Sequence, residues 1–300
     1  MGLWVVRLLK DLYHKGTVRN HDSMLSLKAL EFLCQGRQEL GEALERVQSF
    51  SHKRLQMAEF PEIMDSILAP SGKGLRALLC LMVGHGWSCP LDQSFITVAA
   101  ALETLHLASL QHDDVIDQSS WRRGQMSTPK RWGNKTAVLM GDYLLSQTLG
   151  LILDLDSQAY LQHFYRMART LTLGQLAEIH YQGLTQSLDR YTQTLAEKTS
   201  ALFQGACACS GTLVQADSKA QQALDTYGYH LGIAFQLHDD WLDYQGCSQT
   251  LGKKIGQDFQ EKRTQKRCIV GCFARSKASR RIPGSWQSSQ RHLFVRVSTI

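Results

Sequence analysis

Residues 96–117 read ITVAAALETLHLASLQHDDVID. This is an apolar run at helical spacing that ends in three aspartates, Asp113, Asp114 and Asp117. Its apolar part, Ile96 to Leu110, is too short for a membrane span and carries Glu103 and His106. Outward from it the pattern stays helical. The prolines are Pro61, Pro70, Pro90, Pro129 and Pro283, and Lys130 to Ile282 holds none. A long proline-free stretch with sparse glycine suits helices. Apolar residues recur at three and four, as in Leu144, Leu145, Leu149 and Ile152, and no β-branched alternating run is bounded by tight turns. The expected fold is all-α, about ten helices in one bundle. Breaks are expected at Pro61, at Pro70–Gly74, at Cys89-Pro90, over Gln118–Gly133 and over Tyr244–Gly256.

Composition excludes several classes. The chain of 300 residues is 43% hydrophobic and 20% charged, which is globular and not disordered. The N-terminal MGLWVVRLLKDLYHKG has its apolar stretch broken by Arg7 and Lys10, so no secretory signal is expected. None of the eight cysteines forms a C-x-x-C pair, and we read them as reduced packing thiols of a cytoplasmic protein. Net charge is +6, yet residues 261–300 hold ten Lys/Arg against Glu261 alone, a local +9. Residues 1–260 therefore carry −3, and no nucleic-acid partner is inferred. We divide the chain into a helical domain, 1–263, and a basic Ser/Arg-rich tail, 264–300, expected to pack poorly.

The acidic set occurs twice: His-Asp-Asp-Val-Ile-Asp at 112–117 and His-Asp-Asp-Trp-Leu-Asp at 238–243. On a helix Asp113 and Asp117 share a face, as do Asp239 and Asp243, with Asp240 about 100° around. Carboxylates about 5.5 Å apart repel by about 3 kcal/mol at an effective dielectric near 20. An apolar setting worsens this, so a counter-charge is required. Carboxylate oxygens favour a hard cation, and Mg²⁺ bridges carboxylates to substrate phosphates. One copy alone reads as a solvated helix end; the pair does not. Phosphate-binding cations should accompany the metal. Gly72-Lys73-Gly74-Leu75-Arg76 stands at an expected helix start, with Lys73 and Arg76 on one face and open N–H groups adding anion affinity. Arg122-Arg123-Gly124 follows Asp117, and Lys198-Thr199 and Lys253-Lys254 are further candidates.

These motifs, with GNKTAVLMGDYLL, EKTSALFQGAC and GIAFQLHDDWLDYQG, resemble the trans-type polyprenyl diphosphate synthases, and the likeness runs from about residue 70 to 260. The resemblance implies a bundle around a central cavity. It implies that Asp113, Asp117, Asp239, Asp240 and Asp243 hold Mg²⁺, three ions with the allylic diphosphate bound. Lys73, Arg76, His106 and Arg123 would bind isopentenyl diphosphate; Arg122, Lys198, Thr199, Gln236 and Lys253 would contact the allylic diphosphate. Among these, Asp113, Asp117, Arg122, Lys198 and Asp239 would carry the ionisation. The small Ala108 and Ser109, five and four residues before Asp113, would leave the cavity open for a long all-trans product of the quinone side-chain kind. A homodimer or heterodimer is implied, and a greasy product makes loose membrane contact plausible. The alternatives are an inactive or partner-dependent subunit, or a terpene cyclase of the same fold. This chain departs from the family where Gly74 and Ala77 replace a basic residue and a proline, and after Asp258, where the family's further helices give way to the tail.

Overall fold

The computed structural model describes residues 23–68, 72–181 and 188–245, with side chains from 36 to 239. Among the described residues there are ten α-helices: α1 (Ser23–Leu55), α2 (Pro61–Leu68), α3 (Leu75–Gly86), α4 (Gln93–Ile116), α5 (Thr128–Trp132), α6 (Asn134–Leu153), α7 (Gln158–His180), α8 (Leu188–Leu195), α9 (Ala201–Leu213) and α10 (Ser218–Gln245). A π-helical turn, Ala196–Ser200, joins α8 to α9. The expected all-α bundle is the observed one. The tail, Lys253 and the division at residue 263 lie outside the described residues.

Helix α4 runs through the middle. Its first half is apolar on every side, so every side must be covered. Ala99, Ala100, Ala101 and Leu102 are fully buried. Their short side chains let α1, α3, α6 and α9 all pack on the one rod. The main core joins Leu81, Val98, Leu102, Leu151, Phe164, Leu202 and Cys207. Helix starts follow local chemistry. Asp92 caps α4 by accepting from Ser94 N–H at 3.0 Å and Phe95 N–H at 3.2 Å. Pro61 opens α2, Ser127 caps α5, and Asp217 accepts from Ala220 N–H at the head of α10.

Three expectations need correction. Residues 118–133 are more than a loop: Trp121–Arg122 (β1) pairs antiparallel with Gln125–Met126 (β2). Arg123 and Gly124 both have positive φ, 51° and 81°, the turn geometry that matches the twist of a tight hairpin. The stretch lacks β-branched alternation, so its strand character was invisible. Second, helix α3 begins at Leu75, so Lys73 precedes it and does not share a helical face with Arg76. Third, Ile96–Leu110 is too short for a membrane span, but among the described residues one helix, α6, is long and apolar enough to cross a membrane. It packs along α4, as the core helix of a globular bundle does.

Candidate active site

The first acidic set forms the C-terminal end of α4, with Asp117 as the residue just past the helix. Helix carbonyls point out there, and the negative end of the helix dipole adds to three carboxylates. The three are used differently. Asp114 is 1% exposed and is held by Arg122, whose Nε donates to both carboxylate oxygens at 2.8 Å and whose Nη2 donates to Oδ1 at 2.5 Å. The hairpin therefore folds back on its own helix. Ser119 N–H also donates to Asp114 O at 2.9 Å. Asp113 and Asp117 face a different neighbour, Lys198. Burial and the adjacent Asp117 push the Asp113 carboxyl up to about 6, although Lys198 and Arg122 pull the other way.

Lys198 reaches this place through the π turn. Widening a helix by one residue re-aims the side chains on it. A Cβ on Gly174 would stand 2.8 Å from the Glu197 and Lys198 backbones, so α7 crosses the turn where only glycine fits. One helical turn on, Glu178 Oε2 accepts from Lys198 Nζ at 2.5 Å. Burial alone would lower the Lys198 ammonium, yet Glu178, Asp113 and Asp117 outweigh it and carry it above the ordinary lysine value. The next residue, Thr199, donates from Oγ1 to Gln236 Oε1 at 2.7 Å. Gln236 precedes Asp239 on α10 by one turn, so the Lys198-Thr199 pair stands between the two acidic sets. Asp239 is half-buried and adds to the field on Arg76. Asp240 and Asp243 lie on α10, but their side chains are outside the described residues.

The cations gather on the other flank. Arg76 is 8% exposed and its guanidinium lies over the Phe203 ring, 5.0 Å from the centroid. Burial lowers its pKa to about 10. The Arg123 guanidinium rests against the backbone of Gly72, and burial, then Arg122, lowers it too. His106 is held well below the ordinary imidazole range, first by burial and then by Arg76, Arg123 and Arg122. It is neutral at physiological pH and can give one N–H without adding charge. Arg76 and Arg123 thus leave two guanidinium groups near His106, the donor type that suits phosphate oxygens, while Arg122 is held by Asp114. Lys73 is exposed at its edge.

One expectation fails here. The N–H groups at the start of α3 are not open to an anion. Glu103 Oε1 accepts from Arg76 N–H at 3.0 Å and from Ala77 N–H at 3.1 Å. Glu103 thus caps α3 from α4 and fixes Arg76. The sequence did carry a signal, since a lone acid in an apolar helix needs a partner. Glu178 and the π turn left none.

Ala108 is 3% exposed in a second apolar cluster with Leu55, Met64, Ile67, Met140 and Leu144. Helix α2 supplies Met64 and Ile67, so side chains pack over Ala108. Ser109 is half-buried and donates to His106 O at 2.8 Å.

Among the described residues no three His, Cys, Asp or Glu side chains form a ready-made metal cage. Asp113 and Asp117 do fit Mg²⁺, which takes one or two carboxylates and completes its shell with water and substrate phosphate. Burial, with Asp117 beside it, holds the Asp113 carboxyl at about 6 in spite of Lys198 and Arg122, and a divalent ion would add the positive charge that favours its ionised form.

Known proteins resemble this chain in sequence and in fold. The chain is 32% identical to octaprenyl diphosphate synthase of Escherichia coli over 198 residues, 65% of this chain and 60% of that one. It is 30% identical to heptaprenyl diphosphate synthase component 2 of Geobacillus stearothermophilus over 237 residues, 78% of this chain and 72% of that one. Against the first of these the chain spans about 60% of the relative's length. The solved polyprenyl synthase of Caulobacter crescentus, in complex with calcium and isoprenyl diphosphate, superposes with a TM-score of 0.70 at 28% identity, covering 85% of this chain and 80% of that one. The polyprenyl synthetase family profile matches residues 57–282, most of the chain, and the chain belongs to that family.

Proposed function

We propose that this protein is a Mg²⁺-dependent prenyltransferase that condenses isopentenyl diphosphate with an allylic diphosphate. The observation that carries the reading is the division of the site: Asp113 and Asp117 with Lys198 on one flank, the buried Arg76 with Arg123 and His106 on the other, and Arg122 held on Asp114. Two diphosphates need two such sites. Arg76, Arg123 and Lys73 hold the diphosphate of the isopentenyl group, and His106 gives it a neutral N–H. Lys198, kept charged and aimed by Glu178, meets the allylic diphosphate as its bond to carbon breaks and the phosphate oxygens gain charge. Thr199 and Gln236 position it, and Lys253 is assigned to the same anion. Asp113, Asp117 and the second set, Asp239, Asp240 and Asp243, would hold Mg²⁺, which when bound would supply Lewis-acid charge toward the leaving diphosphate. The isopentenyl double bond then attacks the allylic cation, and the released diphosphate takes the proton whose loss from the new cation restores an alkene. No protein nucleophile takes part; the side chains position and neutralise.

The product we infer is a long all-trans polyprenyl diphosphate, supported by the small Ala108 and Ser109 below Asp113 and by the octaprenyl and heptaprenyl relatives. The component 2 relative favours one second reading, a subunit that needs a partner. The free thiols of Cys80, Cys89, Cys207 and Cys209 support a cytoplasmic location. Incubation with farnesyl diphosphate, labelled isopentenyl diphosphate and Mg²⁺, with and without EDTA, tests the reading. EDTA-sensitive chain elongation is expected; a folded sample that makes no elongated product refutes it.

A further inference from the structure

His112, the residue before Asp113, points away from the acidic pair and into α6. Its Nε2 lies 3.2 Å from Val138 O and 3.3 Å from Asp142 Oδ1. Both are acceptors, so Nε2 carries the proton and donates to the two together. The ring fits because position 141 has no side chain: a Cβ on Gly141 would stand 2.3 Å from Nε2. The last turn of α4 is thus fastened on two sides, by Arg122 on Asp114 and by His112 on α6. Helix ends fray, and the residues that need fixed positions here, Asp113 and Asp117, sit where fraying starts.

We propose that His112 is a positioning residue, setting the rotation of this turn and so the direction in which Asp113 and Asp117 present their oxygens to a divalent cation. The role rests on the metal-dependent reading above. His112 and Asp113 are neighbours on one rod, so neither swings alone. A rotation of about 10° moves a side-chain tip about 5–6 Å from the helix axis by about 1 Å. That displacement is enough to spoil a coordination shell with a tolerance near 0.2 Å.

Mn²⁺ binding to the full chain, followed by electron paramagnetic resonance with inorganic diphosphate present, tests this without turnover. His112→Leu removes the donor, Gly141→Ala expels the ring, and His112→Gln keeps a donor at about the same reach. The Mn²⁺ dissociation constant should rise about tenfold in the first two and stay within about twofold in the third. Metal-free melting of each variant records folding separately, and if His112→Leu does not fold, the other two carry the comparison. The role is overturned by a His112→Leu or Gly141→Ala protein that melts lower yet binds Mn²⁺ like the wild type, or by His112→Gln weakening binding tenfold. A wild type that takes up no Mn²⁺ refutes the metal-dependent reading itself, and this role with it.

Discussion

Arg122 is committed to Asp114, the middle aspartate of the first set, and that pairing leaves Asp113 and Asp117 as the two carboxylates directed at Lys198. Asp114 is 1% exposed and Arg122 is 22% exposed at the side chain. Removing one partner strands a charge that the fold has desolvated, at a cost of about 3 kcal/mol. Asp114→Ala and Arg122→Met should each lower the stability by that order in urea unfolding. The double variant should lose less than the sum. Additive losses would show that the pair does not couple the hairpin to α4.

Asp113 should behave in the opposite sense. Its folded pKa is about 6, above the ordinary 3.8. The folded state therefore holds this proton more tightly than the unfolded chain. The group's contribution to stability is complete below about pH 4 and is lost as pH rises through 6. Metal-free Asp113→Asn should then be more stable than the wild type at pH 7, by about 3 kcal/mol, and no more stable at pH 4. Mg²⁺ with inorganic diphosphate should raise the wild-type melting temperature and not that of the variant. A variant less stable than the wild type at pH 7 would contradict the origin given for the shift.

Glu103 ties α3 to α4 through two backbone N–H groups. Glu103→Ala leaves both without their acceptor, at about 1 kcal/mol for a lost cap. It also frees Arg76 and removes the carboxylate that favours its charge. The KM for isopentenyl diphosphate should rise severalfold, with a smaller change in kcat. A change confined to kcat would place Glu103 with the allylic flank instead.

The sequence made the fold class and the two flanks legible for one reason: each depends on residue type at fixed spacing. Asp113 and Asp117 read as one face because a helix repeats at four, and α4 read as a helix because it is apolar and unbroken. What stayed hidden depends on tertiary contact. The sequence does not say that Asp114 turns to Arg122, because both lie in polar stretches where many pairs are possible. Nor does Ala196–Ser200 announce its π turn, since the widening follows from the close crossing at Gly174. Glu103 is the instructive miss. An acid inside the apolar ITVAAALETL was visible as an anomaly, and an unsatisfied carboxylate demands donors wherever the fold brings them.

Ala108 shares its apolar cluster with Leu55, Met64, Ile67, Met140 and Leu144. Ala108→Phe adds a ring against these packed side chains, at about 1–3 kcal/mol. If a growing chain displaces these side chains, the ring should also stop it early. Chromatography should show shorter products from Ala108→Phe at an unchanged rate of the first condensation. Product length equal to that of the wild type would remove Ala108 from the wall.

Helix α6 presents Leu139, Asp142, Ser146, Leu149 and Leu153 in a three-four spacing, the repeat of a helix–helix seam. Leu139 is 67% exposed and Leu153 is 69% exposed, high for leucines on a core helix. The stripe is nearly symmetric about Ser146, so two copies packed antiparallel bring Leu139 of one against Leu153 of the other. A two-fold interface needs such self-complementarity. The wild type should therefore run as a dimer in light scattering after gel filtration, and Leu139→Glu with Leu153→Glu should give a folded monomer. A dimer that survives both charges would have to form through another face, because four buried glutamates at one seam cost far more than a dimer of this kind gains.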